Sequence, residues 1–465
     1  MLLVQRRPML TLINASPCSG GYAGGMWPYH PELLARAVPR YTSYPTAAEF
    51  TDKVGGAQLG DALSSLTRGA AVSLYAHIPF CKEICWYCGC NTHRANRTPR
   101  LRAYMEALET ELDWLSLKVG GKVQLGRISF GGGSPNVLDA MRFVRLLDRI
   151  LTGFAAGNPE ISVELDPRTL DADWASLLGK VGASRVSLGV QTMEPQVQAA
   201  IGRIQPPEMI AKVVEMLRDN GIGSLNFDLM YGLPGQSADD LVRTLDAAVA
   251  LAPDRIALFG YAHVPRLIPR QRRIDDSALP GIAERFDQAA AGYRHLVSAG
   301  MVPIGFDHFA RPDDPLAAAS REGRLRRNFQ GFTDDPADAV FGVGATAITC
   351  LPQLLAQNEK NPGRYGMRVL AGEPAAQIGV ARTMEDRERG LVIEDLLCGR
   401  TADLSGLPDD RLIELRLLPF VQAGLCRLAD DRLEILPGGL PYSRVIAACF
   451  DTYRALGTKR FSNAV

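Results

Sequence analysis

The stretch HIPFCKEICWYCGCNTH, residues 77–93, packs Cys81, Cys85, Cys88 and Cys90 into ten positions, with His93 close behind. Thiols this close along a chain serve metal binding or redox exchange. Four of them, or three with His93, could close a tetrahedral zinc site, although structural zinc sites usually take their second pair of ligands from a separate loop. The Cys-x3-Cys-x2-Cys spacing also suits a [4Fe-4S] cluster on three thiolates, because one short loop can wrap three corners of a cube and leave the fourth iron open to a ligand. Cys18, Cys350, Cys398, Cys426 and Cys449 are scattered without framework spacing. That argues against a disulfide-stapled secreted protein and for a reducing, cytoplasmic setting.

Such a loop needs elements to hold it. From residue 71 to about 300, β-rich runs alternate with helical patterns: VSLYAHI (72–78), GRISFGG (126–132), ISVELDP (161–167), RVSLGVQ (185–191), SLNFDLMYG (224–232) and RIALFGYAH (255–263). Six strand-helix units in a row imply an α/β fold with a parallel sheet, either open and doubly wound or a full or partial barrel, with its ligands at the C-terminal strand ends. The unusual residues fall there. The cysteines follow strand one, GGGSP (131–135) follows strand two, and Glu164, Gln191, Asp228 and Ala262 close strands three to six. A helix is expected from Asn136, capped by Ser134 and Pro135. Further strands are expected at 302–310 and 341–348. Beyond about residue 366 the alternation stops. Helices, a hairpin turning at Ala-Asp-Asp (429–431) and the helical stretch PYSRVIAACFDTYRAL suggest a mostly helical, winged-helix-like C-terminal domain, 366–465. The rest divides into an extension at 1–25, an N-terminal arm at 26–70 and the barrel at 71–365, with Met26 as an alternative start.

The 465 residues carry 51 basic and 51 acidic side chains, so bulk charge favours neither nucleic acid nor an anionic membrane. No apolar run approaches the roughly 20 residues needed to span a bilayer, so no membrane insertion is expected.

Taken with the cysteine loop, the glycine turn after strand two resembles the radical S-adenosylmethionine (SAM) superfamily, whose three-cysteine loop follows the first strand of a partial (β/α)6 barrel. PRYTSYPTA (39–47), CGCN (88–91), VELDPR (163–168), NFDLMYGLP (226–234), DHFARPDD (307–314) and RNFQGFTD (327–334) narrow the resemblance to the oxygen-independent coproporphyrinogen III oxidase family. The related haem chaperones keep the barrel and three cysteines but lack the first and last of these stretches and the fourth cysteine.

The resemblance implies that coproporphyrinogen III is the substrate and that a 5'-deoxyadenosyl radical drives its oxidative decarboxylation in haem biosynthesis. An electron donor and an acceptor, neither identifiable from sequence, go with it; a monomer is expected. It implies Cys81, Cys85 and Cys88 as cluster ligands and Cys90 as a non-ligand. Tyr75, Gly132, Glu164 and Ile348 match contacts of the cluster-bound SAM; Tyr87, Gly133, Ser134, Gln191, Arg203, Asp228 and Ala262 match contacts of a second SAM. Tyr87, Ser134 and Gly260 stand where the family has Phe, Thr and Asn. A tetracarboxylate substrate calls for arginines, with Arg40, Arg311 and Arg327 as candidates.

Overall fold

The computed structural model describes residues 27–95, 98–408 and 410–456; the expected extension at 1–25 and the alternative start at Met26 lie outside them. Six parallel strands form the middle of the molecule: β1 (Ala70–Ile78), β2 (Val123–Gly132), β3 (Glu160–Leu165), β4 (Ala183–Gln191), β5 (Ser224–Tyr231) and β6 (Arg255–Gly260). Helices Thr98–Val119, Ala140–Gly153, Ala172–Lys180, Pro207–Asp219, Ala238–Ala250 and Ile282–Ser298 follow them in turn. The sheet continues through β7 (Val302–Ile304), β8 (His308–Ala310), β9 (Ala339–Val343), β10 (Ile348–Leu351), β11 (Leu354–Asn358) and β12 (Ala376–Ala381). Its spatial order is β12-β11-β10-β9-β1-β2-β3-β4-β5-β6-β8-β7.

The central strands turn one apolar face to the main core, and in β1 to β5 the opposite face is largely polar. In β5, Leu225, Phe227 and Leu229 are buried in the main hydrophobic core, while Asn226 and Asp228 face the other way. Ser73, Ser129, Ser162, Glu164, Ser187, Asp228 and Phe259, drawn from β1 to β6, line one cavity of about 300 Å3. The sheet therefore curls into an incomplete barrel with a polar lumen. Ion pairs of Glu160, the first residue of β3, with Arg127 on β2 (3.2 Å) and Arg185 near the start of β4 (2.8 Å) tie these strands together. A small hairpin, Arg326–Asn328 paired with Gly331–Thr333, sends Phe329 and Gln330 to the lumen wall.

Several expectations change. The run 302–310 is two strands, β7 and β8, reversing at Gly305 (φ +59°), and 341–348 divides between β9 and β10 around Gly344 (φ +98°) and Thr346 (φ +67°). The helix after β2 begins at Ala140, capped by the Asp139 side chain; Pro135–Val137 is a separate 3-10 turn, because Ser134 spends its hydroxyl on Asn136 and Asp166. Asp228 lies inside β5 and Ala262 just past the end of β6. PYSRVIAACFDTYRAL is broken into a short helix, Ser443–Ala447, between 3-10 turns, with Pro441 in the first of them. Position 366 falls inside helix Pro362–Leu370, and β12 beyond it still pairs with β11.

After β12, helices Met384–Leu397 and Arg411–Gln422 pack with a three-stranded sheet, Ala402–Asp403, Cys426–Ala429 and Arg432–Ile435, in winged-helix-like order. Asp430 and Asp431 turn its hairpin with φ of 50° and 60°, as a tight right-twisted turn requires. This module shares a second core with the N-terminal arm, in which Leu34, Val38, Tyr41 and Tyr44 pack with Leu396, Phe420, Tyr442 and Phe450. The Tyr41 hydroxyl donates to Asp451 (2.9 Å) and the Tyr442 hydroxyl to the Pro28 carbonyl (2.7 Å).

Candidate active site

The glycine turn exists because three groups approach it too closely for a side chain. A Cβ on Gly131 would strike the Glu164 carboxylate, one on Gly132 (φ +104°) the His77 ring, and one on Gly133 the backbone of Phe80. The Gly132 N–H donates to Glu164 (3.2 Å). Desolvation in the lumen, reinforced by the charge of Asp228, pushes the Glu164 carboxyl up to about 7. Asp228 is also raised by desolvation, and accepts from Ser187 (3.1 Å) and Asn226 (2.8 Å). The Tyr75 hydroxyl meets His77 Nδ1 at 3.1 Å. Ile348, on β10, lies two strands from Tyr75, its backbone against Gly342, Tyr75's partner on the intervening β9.

The cysteine loop is anchored at both flanks. Trp86 N–H donates to the Ile201 carbonyl (3.2 Å), with the Trp86 ring lying where a Cβ on Gly202 (φ +64°) would go. Gln271 Nε2 donates to the carbonyls of Tyr87 (2.9 Å) and Ala262 (3.1 Å), tying the loop to the end of β6. Cys85 is buried and its sulfur accepts from two guanidiniums, Arg203 (3.1 Å) and Arg168 (3.4 Å), both paired with Asp166. A hydrogen bond with Cys90 holds Cys88 down to about 6, while burial pushes Cys81 up to about 12. A Cβ on Gly189 would fall beside both Gln191 (2.9 Å) and Arg203 (3.1 Å), which places those two side chains together; Gln191 itself is left-handed at φ +67°.

Among the described residues no three His, Cys, Asp or Glu side chains converge on a point suited to one metal ion. A cube-shaped cluster takes each thiolate on a different iron, so its ligands need not meet at one point. Three thiols on one loop, a cationic partner at the buried one and the glycine cradle alongside suit the cluster and a ligand on its open iron.

His77, Asp166, Arg168 and Gln271 escaped the sequence reading. VELDPR was in view, but only the fold turns Asp166 and Arg168 toward Cys85. Of the expected arginines, Arg311 is exposed, paired with Asp313 (3.2 Å) and bound through its backbone to Asp254 at the N-terminal end of β6. Because β8 runs antiparallel to β6, it carries Arg311 to the wrong end of the barrel. Arg40 donates to the Gly260 carbonyl (3.1 Å), and Arg327 stacks between Phe306 and Phe332. Gly260 is explained locally: a Cβ there would crowd Tyr231 and Arg285.

Residues 75–248 match the model of the Radical SAM superfamily. Together with the incomplete barrel and its cysteine loop, that match defines a radical SAM enzyme, whose cofactors are a [4Fe-4S] cluster and SAM. Over 437 residues the chain is 42% identical to the oxygen-independent coproporphyrinogen III oxidase of Bradyrhizobium diazoefficiens, covering 92% of this chain and 97% of that protein. The corresponding protein of Paracoccus denitrificans is 40% identical, covering 90% and 95%. The solved coproporphyrinogen III oxidase of Escherichia coli, described as a Radical SAM enzyme, superposes with a TM-score of 0.85 at 34% identity, covering 92% of this chain and all of that one. The chain belongs to the oxygen-independent coproporphyrinogen III oxidase family. The haem-chaperone alternative is not favoured. No described helix is long and apolar enough to cross a membrane.

Proposed function

We propose that the protein converts two propionates of coproporphyrinogen III to vinyl groups at the C-terminal mouth of the barrel, giving protoporphyrinogen IX for haem synthesis. The observation carrying this reading is the buried Cys85 thiol under two guanidiniums, beside the glycine cradle, in a chain that aligns with the family along nearly its whole length. Cys81, Cys85 and Cys88 hold the cluster, and Cys90 does not. When bound, cluster and SAM supply a deoxyadenosyl radical that removes a hydrogen atom from the propionate β-carbon, after which the side chain releases CO2 and passes one electron to an acceptor.

The protein's own work is placement and exclusion. Tyr75, Gly132, Glu164 and Ile348 surround the cluster-side SAM. Tyr87, Gly133, Ser134, Gln191, Arg203, Asp228 and Ala262 form the place of a second. Glu164 and Asp228 offer acceptors to hydroxyl or amino groups. Phe329 and Gln330 narrow the lumen, and the arm with the C-terminal module covers the mouth. The protein works as a monomer in the cytoplasm, served by an external electron donor.

Anaerobically reconstituted protein with reductant, SAM, coproporphyrinogen III and a cell extract as source of the electron acceptor should release CO2, 5'-deoxyadenosine and protoporphyrinogen IX. Stoichiometric haem binding with no CO2 would overturn the reading.

A further inference from the structure

A second cavity, about 60 Å3, opens where the arm, the ends of β5 and β6, helix Ile282–Ser298 and the C-terminal module meet. Arg40, Arg285 and Arg444 line it together with Tyr231, Asp307 and Ala262. Arg444 is buried and donates to the Val38 carbonyl (2.8 Å), and Arg285 lies over the Tyr231 ring. A fourth guanidinium, Arg327, sits directly behind: it stacks on Phe306, which also lines the cavity, donates to the Arg40 carbonyl (3.4 Å), and leaves Nε and Nη1 buried without an acceptor among the described residues. Against these cations the described residues set one carboxylate on the cavity wall, Asp307, already engaged by His308 at 2.6 Å. Glu394 accepts from the Arg327 backbone on the other side of that residue (2.8 Å). Burial, and after it the neighbouring Arg40, lowers Arg444 to about 10, and burial lowers Arg285 and Arg327.

Gathering guanidiniums away from water is costly unless an anion completes the set. Planar forks of this kind bind carboxylates in pairs of hydrogen bonds. The cavity is sized for one such group and not for a macrocycle, and Arg40, which is exposed, stands at its entrance.

Building on the function proposed above, we propose that this pocket, lined by Arg40, Arg285 and Arg444 and backed by Arg327, clamps one propionate carboxylate of the substrate, and that this propionate is one the reaction leaves intact. A carboxylate held by several guanidiniums is stabilised as the anion, which opposes its loss as CO2, so the clamp belongs to a spectator group. Ala262 lies on the pocket wall and also in the second SAM set, so a propionate seated here brings the macrocycle to the mouth of the strands.

The test is a fluorescence titration of the reconstituted full-length protein with coproporphyrin III, the air-stable macrocycle bearing the same four propionates, and with its uncharged tetramethyl ester. Arg40→Gln and Arg444→Gln should each weaken coproporphyrin III binding about tenfold and leave ester binding unchanged. Arg40 is exposed, so its variant keeps the fold and decides the matter even where Arg444→Gln loses its thermal transition. Unchanged coproporphyrin affinity in Arg40→Gln, or equal weakening for acid and ester, would overturn the clamp while leaving the function intact. Wild-type protein that binds no coproporphyrin and releases no CO2 would overturn the function itself.

Discussion

At the scale of single residues, the cysteine loop divides its thiols by surroundings. Cys85 is buried under Arg168 and Arg203, whereas Cys90 is exposed and contributes a hydrogen bond to Cys88. Changing Cys81, Cys85 or Cys88 singly to Ser should abolish iron and acid-labile sulfide after reconstitution, and Cys90→Ser should retain both. Iron loss in Cys90→Ser would restore it as a ligand. Arg203→Ala removes a charged donor from a buried sulfur and a partner from Asp166, so the cluster it still binds should reduce at a more negative potential, measured by redox titration followed by electron paramagnetic resonance. The cysteines and glycines were legible in sequence because their work is local, one loop and one turn. Asp166, Arg168 and His77 were not, since nothing in their spacing shows that they face Cys85 or Gly132 until β1, β2 and β3 lie side by side.

At the scale of elements, the helical segment after β4 reaches back to hold the loop after β1. Gly202→Ala would push a methyl into the Trp86 ring from a left-handed backbone position, so we expect a stability loss of about 1–3 kcal/mol in denaturant melts and poorer iron retention. The six βα units could be read from alternation because each strand is long enough to show its buried face. The short strands β7 to β10 could not. Each reverses within a few residues at Gly305 or Gly344, and an apolar run interrupted by one glycine has the same composition whether it continues or folds back. The same reversal carries Arg311, a candidate for the substrate carboxylates, to the N-terminal end of the barrel.

At the scale of the whole molecule, polar groups enclosed by the fold make stability depend on pH. Glu111, buried among Gly344, Asn358 and Tyr365 donors, is pushed by burial from 4.5 up to about 7. A carboxyl raised in the folded state contributes stability that is complete below its unfolded value and lost as pH rises through its folded one. Relative to Glu111→Gln, the wild type should therefore lose about 3 kcal/mol between pH 4.5 and 7, read from urea midpoints; a constant difference would show that Glu111 is not raised. His77, lowered to about 4 by burial, acts in the opposite sense and costs stability only as pH falls below 6.5.

The shared core of arm and C-terminal module fixes an order of events in the making of the protein. Trp27, Arg40 and Arg444 meet at one cavity although some four hundred residues of translation separate the first from the last. A ribosome-bound chain can complete the six βα units and the cysteine loop, yet its mouth stays uncovered until the end has been synthesised and docks on the beginning. The pocket that Trp27, Arg40 and Arg444 share therefore takes shape only after residue 444 has been synthesised and has docked on the arm.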